Sequence, residues 1–553
     1  MKKWQTKEQL TDLLCTLVDY PSITGSDAEI AVVQYIHHLL SERTYFQDHP
    51  EHLSLDPLDD GRQLLSALVK KDSGTRDTLV FISHIDVVDV EDYGPYVNLA
   101  FRPKELTAEL YKNLNQLPKD AQQDIQTGNW LFGRGTMDMK AGLTLQLSML
   151  EKAMNGQFTG NLLLLAVPDE EANSSGMLAA LPVLKKWKEA EGLRFKAGLN
   201  CEPVFRRHPG DEGYYIYKGS IGKVLPGFYC YGKETHAGEP FNGINANLMI
   251  SYLNQELELQ EDFIETAGDE TTPPPVSLMN RDLKEKYSVQ TPLSAISMYN
   301  VLFMKQSIQD MTNKLLQAAN RAKEQIEKHY ERKASAFSNR SRNHFHSDLY
   351  VRVMLYEGLY KEAVDRHGEQ EVLRRQNLLM NNREEGDRDF STLLVQDLAY
   401  LCKDLAPMMV LFYSPPFYPS VSSKGHPLIE DVLDFVQQLF HERHQMAVES
   451  IEFFPGLSDL SFIGPMTSEQ KTRQLKMNMP IDEKGYTFDH DALHEITMPV
   501  LNIGPFGKDP HQWTERLELT YSFDVLPDVL THGIERIFYQ TGNMKNDKSV
   551  KEE

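Results

Sequence analysis

Apolar positions along the chain fall into two recurring patterns. Short unbroken runs, "DTLVFIS" (77–83), "NLLLLAV" (161–167), "KAGLN" (196–200) and "TMPVLNI" (497–503), predict buried parallel strands, with helical patterns between them. Near the start, Leu10, Leu13, Leu14, Leu17 and Val18 recur at helical spacing. Lys7, Glu8, Asp12 and Asp19 interrupt them, which predicts an amphipathic surface helix. Strands alternating with helices predict a doubly wound α/β domain.

The texture changes near residue 216. "YKGSIGKVLPGFYCYGKETHAG" alternates with period two and carries several glycines, as a new β-containing subdomain would. From Lys305 to about Ala406 the chain is charged and helical. Ile308, Met311, Leu315, Ala319, Ala322, Ile326 and Tyr330 mark one apolar face of a long helix. The basic residues that follow, Arg332, Lys333, Arg340, Arg342 and Arg352, read as a solvated helix and loop. "YSPPFYPS" (413–420) reads as a proline-rich connection back into α/β texture. The predicted organisation is a first α/β part (1–215), an inserted α+β domain enlarged by helices (216–414), a second α/β part (415–541) and a polar tail (542–553).

A chain of 553 residues can bury a core without disulfide staples. Its four cysteines, Cys15, Cys201, Cys230 and Cys402, form no C-x-x-C pair, so neither a disulfide framework nor a thiolate metal site is expected. No apolar run approaches the ~18 residues of a membrane span, and the N-terminal pattern is too interrupted for a signal peptide. A cytoplasmic location is expected. The 57 basic and 80 acidic residues leave a net charge of −23, which disfavours nucleic acid and anionic membranes as partners.

The candidate chemistry lies where strands end. In open α/β sheets, ligands bind beyond the carboxyl ends of the strands. "LVFISHIDVVD" ends one predicted strand with His84 and Asp86, two residues apart and so on one side of an extended chain. "LLLLAVPDEEANSSG" ends a second with Asp169, Glu170 and Glu171, and "AGLNCEP" a third with Glu202. "VLNIGPFGKDPH" leads from a fourth into His511, and "NWLFGRGTMDMKAGL" places Asp138 at a helix start. Taken singly, each fragment is an ordinary strand-end histidine, a solvated acidic turn or a helix cap. The ordered set is not. Carboxylates gathered this closely repel one another unless positive charge sits among them, and a pair of divalent metals supplies it. Mixed His/Asp/Glu ligation without sulfur suits zinc in a hydrolytic site, with cobalt or manganese as alternatives. One carboxylate can bridge two such ions about 3.5 Å apart.

These residues resemble a known family. "HIDVVD", "GRGTMDMKAG", "PDEEANSSG", "NCEP" and "GPFGKDPHQWTE" are similar, in order, to the metal-site motifs of the aminoacylase, carboxypeptidase G and succinyl-diaminopimelate desuccinylase family, the peptidase family often called M-twenty. "YCYGKETHAGEPFNGINANLMIS" resembles its lid-domain histidine motif, and "FPGLSDLSFIG" (454–464) its late G-x-x-D-x-x-F signature. The likeness covers most of 1–255 and 410–520. It implies a zinc-exopeptidase-like catalytic domain with a mostly parallel sheet flanked by helices, plus an inserted lid and dimerisation domain. It also implies that Asp138 bridges two metals, that His84 and Glu202 complete one ion, and that Glu171 and His511 complete the other. Asp86 would orient His84, and Glu170 would carry the proton. His236 would hold the oxyanion, reaching across a homodimer where one forms. Asn300 and Asp459 are weaker candidates for substrate contacts.

The long stretch between Asp86 and Asp138 and the enlarged lid depart from the family's usual form. They resemble the arginine-utilisation (RocB-like) branch, which implies an arginine-related amide as substrate. The leading expectation is a metal-dependent amidohydrolase acting on an N-acyl amino acid, a small peptide or such an amide. The competing one is a metal-binding protein without catalysis, acting as a regulator or assembly partner. Glu170 separates them, since a silent protein has no need of a base beside an intact ligand set. The histidine pairs of "HERH" (441–444) and "DHDALH" (489–494) have no third ligand nearby in sequence and are set aside.

Overall fold

The computed structural model describes residues 3–71, 74–208, 210–341, 349–467, 472–486 and 490–546. The apolar runs become the middle of an eight-stranded sheet. In chain order its strands are β1 (Leu53–Pro57), β2 (Gln63–Val69), β3 (Asp77–His84), β4 (Asn161–Val167), β5 (Arg194–Asn200), β6 (Tyr214–Tyr217), β7 (Val448–Ile451) and β8 (Val500–Asn502). Across the sheet they run β1-β2-β4-β3-β5-β8-β6-β7. The central four, β4, β3, β5 and β8, are parallel neighbours. β1 and β2 add an antiparallel edge. Every residue of β3 and β4 is buried, which is why their sequences read as continuous apolar runs rather than alternating ones.

Helices cover this sheet. Helix Lys7–Val18 buries the five apolar residues that its spacing singled out. Its start is fixed by a reciprocal cap: the Thr6 hydroxyl accepts the Gln9 N–H, and the Gln9 side chain accepts the Thr6 N–H. Helix Lys140–Met154 is buried from Lys140 through Glu151 and packs against β3 and β4. Even Lys140 is enclosed, its ammonium donating to the carbonyls of Leu17 (3.0 Å) and Tyr20 (2.8 Å), and burial lowers its pKa to about 7.

The chain divides into two compact units, Met1–Ile221 with Val421–Met466 and Asp489–Glu553, and Gly222–Ser420 with Thr467–Phe488. Three expected assignments therefore move, and one is the return to the first unit, which comes at Val421 rather than at 415. Residue 216 falls inside β6, which pairs with β7 in the first unit's sheet, so the change of unit comes after Ile221. Thr467–Phe488 belongs to the second unit, where the Tyr413 N–H donates to the Asn478 carbonyl at 2.7 Å.

The second unit contains a five-stranded sheet in the order Val276–Asp282, Ser294–Phe303, Gly222–Tyr231, Met408–Tyr418 and Arg352–Leu355. Its long helix, Ile308–Ser341, buries all seven residues of the predicted apolar face. Residues 342–348, with Arg342 among them, lie outside the described residues, as do 547–553. Helix Leu526–Asn546 runs into the expected polar tail. The proline-rich stretch is the clearest correction, because it is not a connection. Met408–Tyr418 is a fully buried strand. Its register with Gly222–Tyr231 shifts between Ser414 and Tyr418, so Pro415 and Pro416 sit where the ladder asks for no N–H. Among the described residues, no helix is long and apolar enough to cross a membrane.

Helix Lys140–Met154 closely approaches the residue that follows β5. A Cβ on Gly142 would stand 2.2 Å from the Cys201 carbonyl oxygen. Gly142→Ala gains about 1 kcal/mol of helix propensity, yet overpacking against backbone costs about 1–3 kcal/mol or more. Urea denaturation is expected to show a net loss of stability. A variant as stable as the parent would contradict this packing.

Candidate metal centre

Four parallel strands and one helix start deliver the site. β3 ends at His84 and continues through Ile85 to Asp86. β4 ends at Val167, and the chain turns through Pro168 into Asp169, Glu170 and Glu171. β5 ends two residues before Glu202. The chain leaving β8 reaches His511, and Asp138 stands two residues before helix Lys140–Met154. All of these residues lie in the first unit.

Asp138 is the centre of the arrangement. Its Oδ1 is 3.3 Å from His84 Nε2, and its Oδ2 is 3.3 Å from His511 Nε2. Glu171 Oε1 is 3.1 Å from the same His511 nitrogen. Glu202 Oε1 lies 4.0 Å from His84 Nε2. One carboxylate thus faces two imidazoles, and each imidazole has a second carboxylate beside it. His84, Asp138 and Glu171 present donor atoms within 4.8 Å of one another. His84 and Glu202 are buried, whereas the His511 side chain is 48% exposed and forms the open side.

Titration behaviour follows from this crowding. Burial and the neighbouring carboxylates hold Glu170 and Glu202 well above the ordinary carboxylate range, only partly offset by His84. Glu171 is raised by burial and by Asp138. Burial lifts Asp459 to about 7, with Asp86 adding to the effect. Burial alone would raise Asp138 and lower the two histidines. Their mutual hydrogen bonds reverse this, holding Asp138 down, His84 well up and His511 at about 11. Among its own groups the cluster balances charge with protons. Cations fit this donor set, which is nitrogen and oxygen only and converges on Asp138.

Asp86 meets His84 through its main chain rather than its carboxylate. His84 Nδ1 is 2.9 Å from the Asp86 backbone carbonyl, while the Asp86 carboxylate is 3.7 Å from that nitrogen. The carboxylate instead accepts the N–H of Glu170 (3.1 Å) and of Glu171 (3.2 Å), with the Thr24 hydroxyl at 2.8 Å. Asp86 therefore orients the imidazole through its main chain and the two glutamates through its side chain. Asp459 opens a short turn capped by Ser458 and is buried among the site's carboxylates. His236 and Asn300 lie in the second unit. His236 is exposed on a turn, its Nδ1 accepting the Gly238 N–H at 3.0 Å, and Asn300 is half-buried in strand Ser294–Phe303. Of the excluded pairs, His444 Nε2 is 3.1 Å from Asp528 Oδ2.

A supporting layer escaped sequence reasoning. Glu29, buried in the first turn of helix Asp27–Ser41, accepts the Asp169 N–H at 3.0 Å and pairs with Arg62, which also donates to Asp169 at 2.9 Å. Asp169 has φ 73°, and its carboxylate accepts the Ser175 N–H at 3.0 Å, so this network clamps a left-handed turn. Glu515 Oε1 accepts the N–H groups of Met137 (3.2 Å) and Asp138 (3.4 Å), while Oε2 takes a bond from Arg134 at 2.7 Å. The His511 loop has Asp509 and His511 at φ 57° and 60°. Buried Arg516 staples it, pairing with Asp509, with Asp124 at 2.8 Å and with the Thr514 carbonyl at 3.0 Å. "QWTE" shows Glu515 beside the histidine motif, but no local signal marks Glu29, Arg62 or Arg516.

The model of the Peptidase family M20/M25/M40 matches residues 80–475. The protein YqjN of Bacillus subtilis (strain 168) is 48% identical over 540 residues, covering 97% of this chain and 98% of that protein. Protein RocB of the same organism is 29% identical over 539 residues, covering 94% and 93%. Among solved structures, the dipeptidase Dug1p of Saccharomyces cerevisiae shares the fold with a TM-score of 0.52 at 10% identity, over 96% of each chain. With the family's model matched through β3, β4, β5 and the acids that follow them, the chain belongs to Peptidase family M20/M25/M40 and is a hydrolase of the metallopeptidase type.

Proposed function

We propose that this protein hydrolyses the amide C–N bond of an N-acyl amino acid, a small peptide or an arginine-related compound, using two divalent metal ions, zinc by preference. The observation that carries the reading is the Asp138 carboxylate, each of whose oxygens stands 3.3 Å from a different imidazole. In this assignment Asp138 would be shared between the ions, His84 and Glu202 would hold one, and Glu171 and His511 the other. When bound, such ions lower the pKa of water and polarise a carbonyl. Glu170 then has the proton work. Its carboxylate would take the proton of the attacking water and return it to the leaving amine, the work of a general base and then a general acid. Asp86 holds the backbone of Glu170 and Glu171 in place. The family motif assigns His236 to the oxyanion, from the same chain or from a homodimer partner. The arginine-related substrate rests on likeness to the RocB-like branch, and the 29% identity with Protein RocB supports it. Four free cysteines without a disulfide framework suit a cytoplasmic setting.

Glu170→Gln is expected to bind metal as the parent does and to lose turnover by about 10²–10⁴-fold. A mass-spectrometric screen of zinc-loaded protein over N-acyl amino acids, dipeptides and arginine-derived amides reads this. Equal rates for variant and parent would remove Glu170 from the chemistry.

Metal binding is expected to release protons and to strengthen as pH rises. His84 and His511 hold protons near neutrality because their pKa values are raised, and each must give one up to ligate. Calorimetry in two buffers of different ionisation enthalpy measures the release. A buffer-independent enthalpy with an affinity flat from pH 6 to 8 would contradict it.

A further inference from the structure

The first unit holds a second gathering of imidazole and carboxylate, at the turn that leads into β1. His49, Glu51 and His52 each offer a donor atom, and these atoms lie within 4.8 Å of one another. His49 Nδ1 is 3.3 Å from Glu51 Oε1, and His52 Nε2 is 3.9 Å from that same oxygen. A further carboxylate arrives from far along the chain. Glu191, which caps the end of helix Ser175–Ala190, places Oε2 3.8 Å from His52 Nε2.

Gaps of 3.8 and 3.9 Å are too long for hydrogen bonds. They are close to what a shared ion requires. Two donors each about 2.1 Å from one ion at a tetrahedral angle stand roughly 3.4 Å apart, so Glu51 and His52 would close by about half an ångström and no pair of the three by more than about 1.4 Å.

The imidazoles are already positioned. The His49 and His52 rings are stacked with centroids 5.2 Å apart, and Tyr45 stacks on His52 at 5.9 Å and lies tilted against His49 at 5.0 Å. The Tyr45 hydroxyl lies 2.9 Å from His52 Nδ1 and accepts the Lys70 N–H at 2.7 Å. That contact occupies Nδ1 and leaves Nε2 facing the carboxylates, the arrangement that orients a ligating histidine. Lys70 also donates to Glu191 Oε2 at 2.8 Å, which places Glu191 outside the inner donor set as a partner to both cations. The His49 and Glu51 side chains are 44% and 60% exposed, so the donor atoms are open to solvent.

We propose that His49, Glu51 and His52 form a binding site for a zinc-type divalent ion, separate from the Asp138 centre. All three ligands come from the turn before β1, with Glu191 beside them as an outer carboxylate. Two imidazoles and one carboxylate without sulfur favour zinc over calcium or magnesium. No residue of this cluster takes part in the hydrolytic assignment.

Zinc bound per full-length chain after equilibrium dialysis, read by plasma mass spectrometry, tests the proposal. The variant combines His49→Ala with Glu51→Gln, leaving buried His52 and its Tyr45 contact in place so that the fold persists. It is expected to hold one ion fewer than the parent. In an Asp138→Asn background, zinc is expected to raise the melting temperature, and adding the two substitutions is expected to abolish that rise. Equal zinc content in parent and double variant would overturn the proposal. The count lost on Asp138→Asn alone reports on the hydrolytic centre, so the two readings fail separately.

Discussion

Mutual repulsion among buried carboxylates is the constraint around which the first unit is built. Asp86, Asp138, Glu170, Glu171, Glu202 and Asp459 share a space with only two imidazoles. Left to themselves, such groups would move apart, take up protons or draw in water. The structure holds them by their backbones. Asp86 grips the N–H groups of Glu170 and Glu171, Glu515 grips those of Met137 and Asp138, and Glu29 with Arg62 closes the turn at Asp169. A rigid frame that keeps like charges together stores an affinity for cations.

That frame depends on the sheet. Because β3, β4, β5 and β8 run parallel, their carboxyl ends emerge on one edge, and each supplies part of the site at its end or in the chain that leaves it. Helix Lys140–Met154 brings Asp138 to the same edge, and the bare Gly142 lets it come within reach of the Cys201 carbonyl. The supporting ion pairs are nearly dry. Arg134 with Glu515, and Arg516 with Asp124, contribute position more than stability, since burying each charge offsets much of the pair's attraction.

Much of this was legible in the sequence, for local reasons. Buried parallel strands have a continuous apolar signature, so 77–83 and 161–167 were readable almost to the residue. The acids and histidines after them stood out because polar groups at the end of such runs need a purpose. Asp86 was found, but its division of labour between main chain and side chain was not, because spacing does not show which atom turns inward. Glu29 and Arg516 were invisible for a different reason. Their partners lie far away in sequence, and an acid in a helix's first turn looks like any capping charge. The Pro415–Pro416 pair misled because proline signals a break, and only the register shift of the strand shows how a sheet accommodates it.

The central claim is that Asp138 stands between two metal ions, one served by His84 and one by His511. Anomalous diffraction at the zinc edge, from crystals of the zinc-loaded protein, tests it most directly. The account predicts two peaks, one against each Asp138 carboxylate oxygen, with His84 beside the first and His511 beside the second. A single peak, or two peaks neither of which touches Asp138, would contradict it.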